Sequence, residues 1–203
     1  LEQSVRMMRD LLAALEYAHQ HKIIHRDIKP ANLMIEASGR VKLTDFGVAR
    51  IQDSGEATRT QGGMVGTLKY MSPEQVAGQS VGAESDLFSA GIVLYQLLTD
   101  RRPFDGDSYF SIVNQIANQN PPAPSSINPM LPTALDAVVA RALAKDKTER
   151  FASAQDFSTA LQAAARRADQ TITPSANPSK AVDLHGTNAL DRSGSIASST
   201  LRS

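Results

Sequence analysis

Val5, Met8, Leu12 and Leu15, with His19 on the same stripe, recur every three to four positions, the spacing of one helix face. They predict an amphipathic helix that ends near His21-Lys22. A lysine in the left-handed conformation at such a stop costs on the order of 1 kcal/mol. The period then changes. Leu33-Met34-Ile35 and Val41-Lys42-Leu43 are short apolar runs separated by Ala37-Ser38-Gly39, which is turn chemistry, so a β-hairpin is expected. From Ser85-Asp86 to about Thr99, Leu87, Phe88, Ile92, Val93, Leu94, Tyr95, Leu97 and Leu98 cover every side of a helix. A helix apolar all round is buried, and this one is predicted to be the central post. Asp107 to Asn118 reads as another helix with Phe110, Val113 and Ile116 inward. Leu135, Val138, Val139, Ala142 and Leu143 mark the next, and Ala154, Phe157, Leu161 and Ala164 the last. Pro121, Pro122, Pro124, Pro129 and Pro132 stiffen the connection between them. The pattern is mainly α with a small β-hairpin.

Two stretches carry no such pattern. Val48 to Met64 holds Ser54, Gly55, Thr58, Thr60, Gly62 and Gly63, the composition of a mobile loop. From Asp169 onward there is no Phe, Tyr or Trp, and Ser and Thr recur without period. Such a segment buries too little apolar area to offset its ordering entropy, so disorder is expected there. The expected organisation is one domain over 1–166 and a Ser/Thr-rich tail or linker over 167–203.

Composition narrows the classes. Twenty-one basic residues balance twenty-one acidic ones, which gives no ground for nucleic acid as a bulk partner. With no cysteine the chain forms no disulfide and no thiolate metal site, which fits a reducing compartment. The longest apolar run, Ala90 to Leu98, is broken by Gln96 and is far short of the roughly 20 residues that span a bilayer. No membrane segment is expected in this chain. His19, His21 and His25 are not spaced for one helical face and show no fourth ligand; a buried, hydrogen-bonded His25 is the expectation.

The chemistry concentrates in His25-Arg26-Asp27-Ile28-Lys29-Pro30-Ala31-Asn32 and Asp45-Phe46-Gly47. A hairpin returns its ends to one place, so Asn32 and Asp45 should meet. An amide oxygen beside a carboxylate is a hard-oxygen pair suited to Mg²⁺ held jointly with phosphates. Lys29, two residues after Asp27, is placed to neutralise charge on a transferring phosphoryl group. Asp27 is left to accept the proton of an attacking hydroxyl. As caps and turn formers these residues would be ordinary one at a time; that account does not explain the set.

Together these residues resemble the catalytic loop and metal-binding motif of the eukaryotic-like serine/threonine protein kinases, in the style of bacterial receptor-type members. Lys29 followed by Pro30 matches the serine/threonine branch. The resemblance covers residues 1 to about 166 and implies the large, C-terminal lobe of the protein-kinase-like fold. It implies transfer of the ATP γ-phosphoryl group to protein Ser or Thr hydroxyls, with ATP and Mg²⁺ as cofactors. Asp27 would act as base, Lys29 would stabilise the transferring group, Asn32 and Asp45 would hold Mg²⁺, and Met34 would floor the adenine. Gly66-Thr67-Leu68-Lys69-Tyr70-Met71-Ser72-Pro73-Glu74 resembles the substrate-docking segment, with Ser72 where the family has Ala. There Thr67 would hydrogen-bond Asp27 and Lys29.

By the same resemblance Val48 to Met64 is the activation loop. A phosphate on Thr58 or Thr60 adds nearly two negative charges and would pair with Arg26. Glu74 would pair with Arg150 as a buried structural ion pair, and Asp86 would take backbone N–H groups around His25-Arg26. The family's upstream features are not matched: no G-x-G-x-x-G and no Val-Ala-x-Lys occur. The chain is therefore expected to be a fragment without the ATP-binding small lobe and inactive in isolation. Expected partners are protein substrates and a second kinase copy for trans-autophosphorylation. The expected location is cytoplasmic, including the cytoplasmic part of a membrane-anchored receptor kinase. The alternatives are a pseudokinase or regulatory binding module, and a small-molecule phosphotransferase. The latter would not need Gly66-Thr67 with Ser72-Pro73-Glu74.

Overall fold

Met8, Leu11, Leu12, Leu15 and Ala18 lie on one side of helix α1, Glu2–Gln20, and all five are buried. The computed structural model describes residues 1–46 and 66–171, with side chains through 166. Thr58 and Thr60, expected as phosphorylation sites, and residues 172–203 lie outside the described residues. Helix α1 stops as its polar end demands. Lys22 adopts φ 60°, and the N–H groups of Lys22 and Ile23 return to the carbonyls of His19 and Ala18, each at 2.9 Å. This is a Schellman stop with lysine where glycine is favoured, at a strain of about 1–2 kcal/mol.

A 3₁₀ turn, Pro30–Asn32, leads into strands β1, Leu33–Ile35, and β2, Val41–Leu43. They pair antiparallel, with Leu33 opposite Leu43 and Ile35 opposite Val41. Gly39 closes the turn at φ 80°, a conformation that suits a residue without Cβ. Asp10 of α1 accepts a hydrogen bond from the Val41 N–H at 3.2 Å, which ties the hairpin to the helix.

Helices α2, Pro73–Val76, and α3, Ala83–Thr99, follow. Every residue of α3 from Ser85 to Tyr95 is buried, so the apolar-all-round pattern does mark a central post. It packs against α1, against α5, Pro124–Ile127, and against α6, Ala134–Ala142. A Cβ on Gly91 would lie 2.8 Å from Ala142 Cβ and 3.1 Å from Leu143 Cδ2; the glycine is what lets α6 come so close. Helix α7, Ala154–Thr171, packs on α1 and α6, with Phe157 stacked 4.6 Å from Phe151. The described residues are mainly helical, with one two-stranded sheet among them.

Two expectations are corrected. Helix α4, Tyr109–Asn118, buries Ile112 and Ile116; Val113 is half-buried, but Phe110 is 83% exposed. At 3.6 residues per turn, Phe110 lies roughly 200° round from Ile112, so the Ile112–Ile116 pair sets the inward face. The proline-rich connection also contains α5, whose first residue is Pro124. Proline at the first helical position loses no hydrogen bond and is pre-set in φ.

Candidate active site

His25 is fully buried, with Nε2 2.9 Å from the Thr44 carbonyl and its ring 4.7 Å from that of Phe46. This one side chain joins the loop before β1 to the segment after β2. Asn32 repeats the join: its carbonyl accepts the Thr44 N–H at 2.9 Å and the Thr44 hydroxyl at 3.2 Å. The hairpin register thus brings residue 32 against residue 44, and Asp45 follows at once. The side chains of Asn32 and Asp45 are not hydrogen-bonded to each other.

The loop between α1 and β1 is held in an unusual backbone state. Arg26 has φ 69°, a region L-residues enter at a cost of order 1–3 kcal/mol when the surroundings impose it. Asp86, on the first turn of α3, is the group that imposes it. Its Oδ1 accepts the Arg26 N–H and its Oδ2 the His25 N–H, both at 2.8 Å. His19 Nε2 lies 2.9 Å from the same Oδ2. From the other side, Gln75 Nε2 donates to the Arg26 carbonyl at 2.8 Å. Gln75 is itself fixed by a reciprocal capping box with Ser72 at the start of α2.

Asp27 then emerges half-buried. Lys29 Nζ donates to Asp27 Oδ2 at 2.8 Å. Asn32 Nδ2 donates to the Asp27 carbonyl at 2.8 Å and to Oδ2 at 3.2 Å. Lys29 Nζ also reaches Thr67 Oγ1 at 3.2 Å; Thr67 and Asp27 are linked only through this lysine. Asp27 Oδ1 receives no hydrogen bond among the described residues. Met34, on β1, is 57% exposed.

The donor set fits a hard divalent cation. Asn32 is buried and spends its amide N–H groups on Asp27, which leaves its oxygen as the ligand atom. Asp45, exposed at φ 55°, meets only the Thr44 hydroxyl among the described residues, at 3.4 Å. Among the described residues no group of three or more His, Asp or Glu gathers to hold a metal. Phosphate oxygens and water would have to complete such a cation's shell, as is usual for Mg²⁺.

Glu74, on α2, faces the interior. Arg150 grips it bidentately, Nη1 to Oε1 at 2.7 Å and Nη2 to Oε2 at 2.9 Å, and Ser85 donates to Oε1. Burial pushes the Glu74 carboxyl up, but the bonds from Arg150 and Ser85 and a backbone N–H outweigh it and hold the group at about 2. Arg150 spends its remaining donors on the carbonyls of Ala144, Glu84 and Lys145.

His19 and Gln75 were not singled out as site residues from the sequence. Ser72-x-x-Gln75 is a legible capping box, and His19 is the polar member of an otherwise apolar stripe; neither pattern says what the second function of the side chain is.

A hairpin and a left-handed Arg26 thus bring Asp27, Lys29 and Asn32 together beside the helical core. Residues 2–162 match the family described as Protein kinase domain, and the chain belongs to that family. It is 49% identical over 154 residues to a probable serine/threonine-protein kinase PknB of Bifidobacterium longum, covering 75% of this chain and 22% of that protein. It is 45% identical over 157 residues to serine/threonine-protein kinase PknB of Mycobacterium tuberculosis, covering 77% of this chain and 25% of that one. Serine/threonine-protein kinase PksC of Streptomyces coelicolor is 47% identical over 182 residues, 88% of this chain and 33% of its own length. The crystal structure of the Mycobacterium tuberculosis PknI kinase domain superposes with a TM-score of 0.61 at 27% identity, over 81% of this chain and 56% of that one. The chain thus spans between 22% and 33% of the length of these curated relatives. Among the described residues no helix is long and apolar enough to cross a membrane.

Proposed function

We propose that this chain is the C-terminal-lobe segment, residues 1–166, of a serine/threonine protein kinase that phosphorylates protein Ser or Thr hydroxyls with ATP, residues 167–203 forming a tail or linker. The observation that carries the reading is the one-sided bonding of Asp27: Lys29 and Asn32 both occupy Oδ2. Oδ1 remains to accept the hydrogen bond of an incoming hydroxyl, orient it, and take its proton. Lys29, fixed between Asp27 and Thr67, offers its positive charge where the phosphoryl group passes. Phosphoryl transfer needs positioning and charge stabilisation more than covalent chemistry, and this cluster supplies both. Asn32 and Asp45 are the residues that would hold Mg²⁺, which would supply charge neutralisation for the phosphates. Met34 serves as the apolar floor for adenine.

Regulation is proposed at Arg26. Its Nε is buried without a partner among the described residues, and it borders a cavity of about 370 Å³ with Met71, Gln75 and Gln79. A phosphate on Thr58 or Thr60 would supply the anion that this guanidinium lacks, with a second kinase copy as the phosphorylating partner. The kinase segment is assigned to the cytoplasm.

The test uses the protein that contains this segment, with radiolabelled ATP, Mg²⁺ and a basic protein substrate. Asp27→Asn should lower kcat by about 10²- to 10⁴-fold while leaving the melting temperature nearly unchanged. Undiminished transfer by Asp27→Asn would overturn the assignment. The 203-residue chain alone is expected to transfer no phosphate.

A further inference from the structure

Gln75 is not one of the reacting groups, yet its half-buried amide joins two segments that meet beside them. Its Oε1 accepts the Ser72 N–H at 2.9 Å, and its Nε2 donates to the Arg26 carbonyl at 2.8 Å. The two arms are not interchangeable, because a backbone N–H needs an oxygen and a carbonyl needs an N–H. The Arg26 carbonyl belongs to the same peptide unit as the Asp27 N–H. That N–H donates to His25 Nδ1 at 3.3 Å, while His25 Nε2 is held by the Thr44 carbonyl. Both ends of the 26–27 peptide plane are thus tied, the carbonyl end by Gln75 alone among the described residues. Asp86 fixes the chain just before this plane, through the His25 and Arg26 N–H groups. It leaves the plane itself to Gln75 and to the longer His25 bond. The tilt of that plane sets φ of Asp27, and with it where the carboxylate points.

We infer that Gln75 is a positioning residue for phosphoryl transfer: through the Arg26 carbonyl it aims Asp27, and through Ser72 it ties that aim to the segment 66–74. The inference rests on the reading of Asp27 as the base. A displacement of about 1 Å at a reacting group costs roughly 100-fold in rate, so the loss of this one bond belongs in kcat more than in stability. Gln75→Glu separates the two arms. Its carboxylate still accepts the Ser72 N–H, as Glu does in an ordinary capping box, so α2 keeps its cap. The second oxygen then faces the Arg26 carbonyl with no proton to donate, and the two acceptors repel each other. Gln75→Met keeps the length of the side chain and removes both arms.

The experiment compares the protein that contains this segment with its Gln75→Glu and Gln75→Met variants. Amide hydrogen exchange, followed by mass spectrometry, needs no ATP and reads the clamp directly. In Gln75→Glu, exchange over residues 25–28 should quicken by up to about tenfold, the worth of one hydrogen bond, while Ser72 and Gln75 stay protected. With ATP and a basic protein substrate, kcat should fall about 10- to 100-fold, with KM for ATP unchanged within about twofold. Gln75→Met should lose a similar factor in kcat and also lose protection at Ser72. In an Asp27→Asn background Gln75→Glu should cost less than about threefold, because a residue that acts through Asp27 has little left to act on. Unchanged exchange over 25–28 would overturn the clamp. Wild-type kcat in both variants, or an equal loss in the Asp27→Asn background, would overturn the positioning role. Undiminished transfer by Asp27→Asn alone would bring down the base, and the role with it, even where the exchange data show the clamp intact.

Discussion

Asp27 lies in the loop that Asp86 holds from helix α3, yet Asp27 keeps an oxygen without a hydrogen bond among the described residues and Asp86 keeps none. Asp86 is 1% exposed, with two backbone N–H groups and a histidine on its oxygens. Asp27 is half-buried, with Lys29 and Asn32 both on Oδ2. Glu74 belongs with Asp86: buried, doubly gripped by Arg150 and bonded by Ser85. Asp45 belongs with Asp27, exposed and nearly unpartnered among the described residues. On the proposed function, a carboxylate here either holds the fold or is left for chemistry according to how many of its lone pairs the protein has already filled. A saturated carboxylate in the interior fixes backbone; an unsaturated one at a cleft still has something to give a substrate. The strain at Arg26 connects the two classes, since the saturated Asp86 imposes the backbone that presents the unsaturated Asp27.

This contrast can be attacked first where it predicts the largest loss. Arg150→Ala strands Glu74 in the interior and should destabilise the protein by about 3–5 kcal/mol. Chemical denaturation monitored by circular dichroism would read this as a midpoint shift at unchanged slope. A loss under about 1 kcal/mol would mean that the pair is not a saturated interior group at all.

Acid should expose the same distinction more gently. The folded Glu74 carboxyl, at about 2, lies below its unfolded value. Its contribution is therefore complete above the unfolded carboxylate range and drains away as pH falls from about 4 toward 2, by roughly 3 kcal/mol in all. Stability measured from pH 6 down to pH 2 should follow this course, and Glu74→Gln should flatten it. An equal slope in Glu74→Gln would move the acid sensitivity to some other group.

The smallest effect marks the outer edge of the comparison. Phe110 is exposed on α4 and touches no saturated network, so Phe110→Ser should change stability by no more than about 0.5 kcal/mol. A larger loss by thermal melting would show that α4 turns a different face inward.

How much of this was legible in the sequence differs by element. The period of apolar residues was enough for α1, α3, the hairpin and the late helices, because each buries a continuous face. It misjudged α4, where an i, i+3 count starting at Phe110 drifts off the stripe that Ile112 and Ile116 occupy. The residues of the candidate site were legible as a set because Asp27, Lys29, Asn32 and Asp45 lie close in sequence across one hairpin. His19 and Gln75 were not, because their partners, Asp86 and the Arg26 carbonyl, are 67 and 49 residues away.

The sequence by itself thus determined which residue types stand near one another along the chain, the helical class of the fold, and the family chemistry that those types can support. Local periodicity and short-range spacing carry that information. Only the tertiary structure decided which carboxylate is saturated, that Arg26 is held left-handed by a residue on α3, and that the Gln75 amide reaches from Ser72 to the Arg26 carbonyl. Hydrogen-bond saturation and desolvation depend on groups brought from distant parts of the chain, and no local pattern records them.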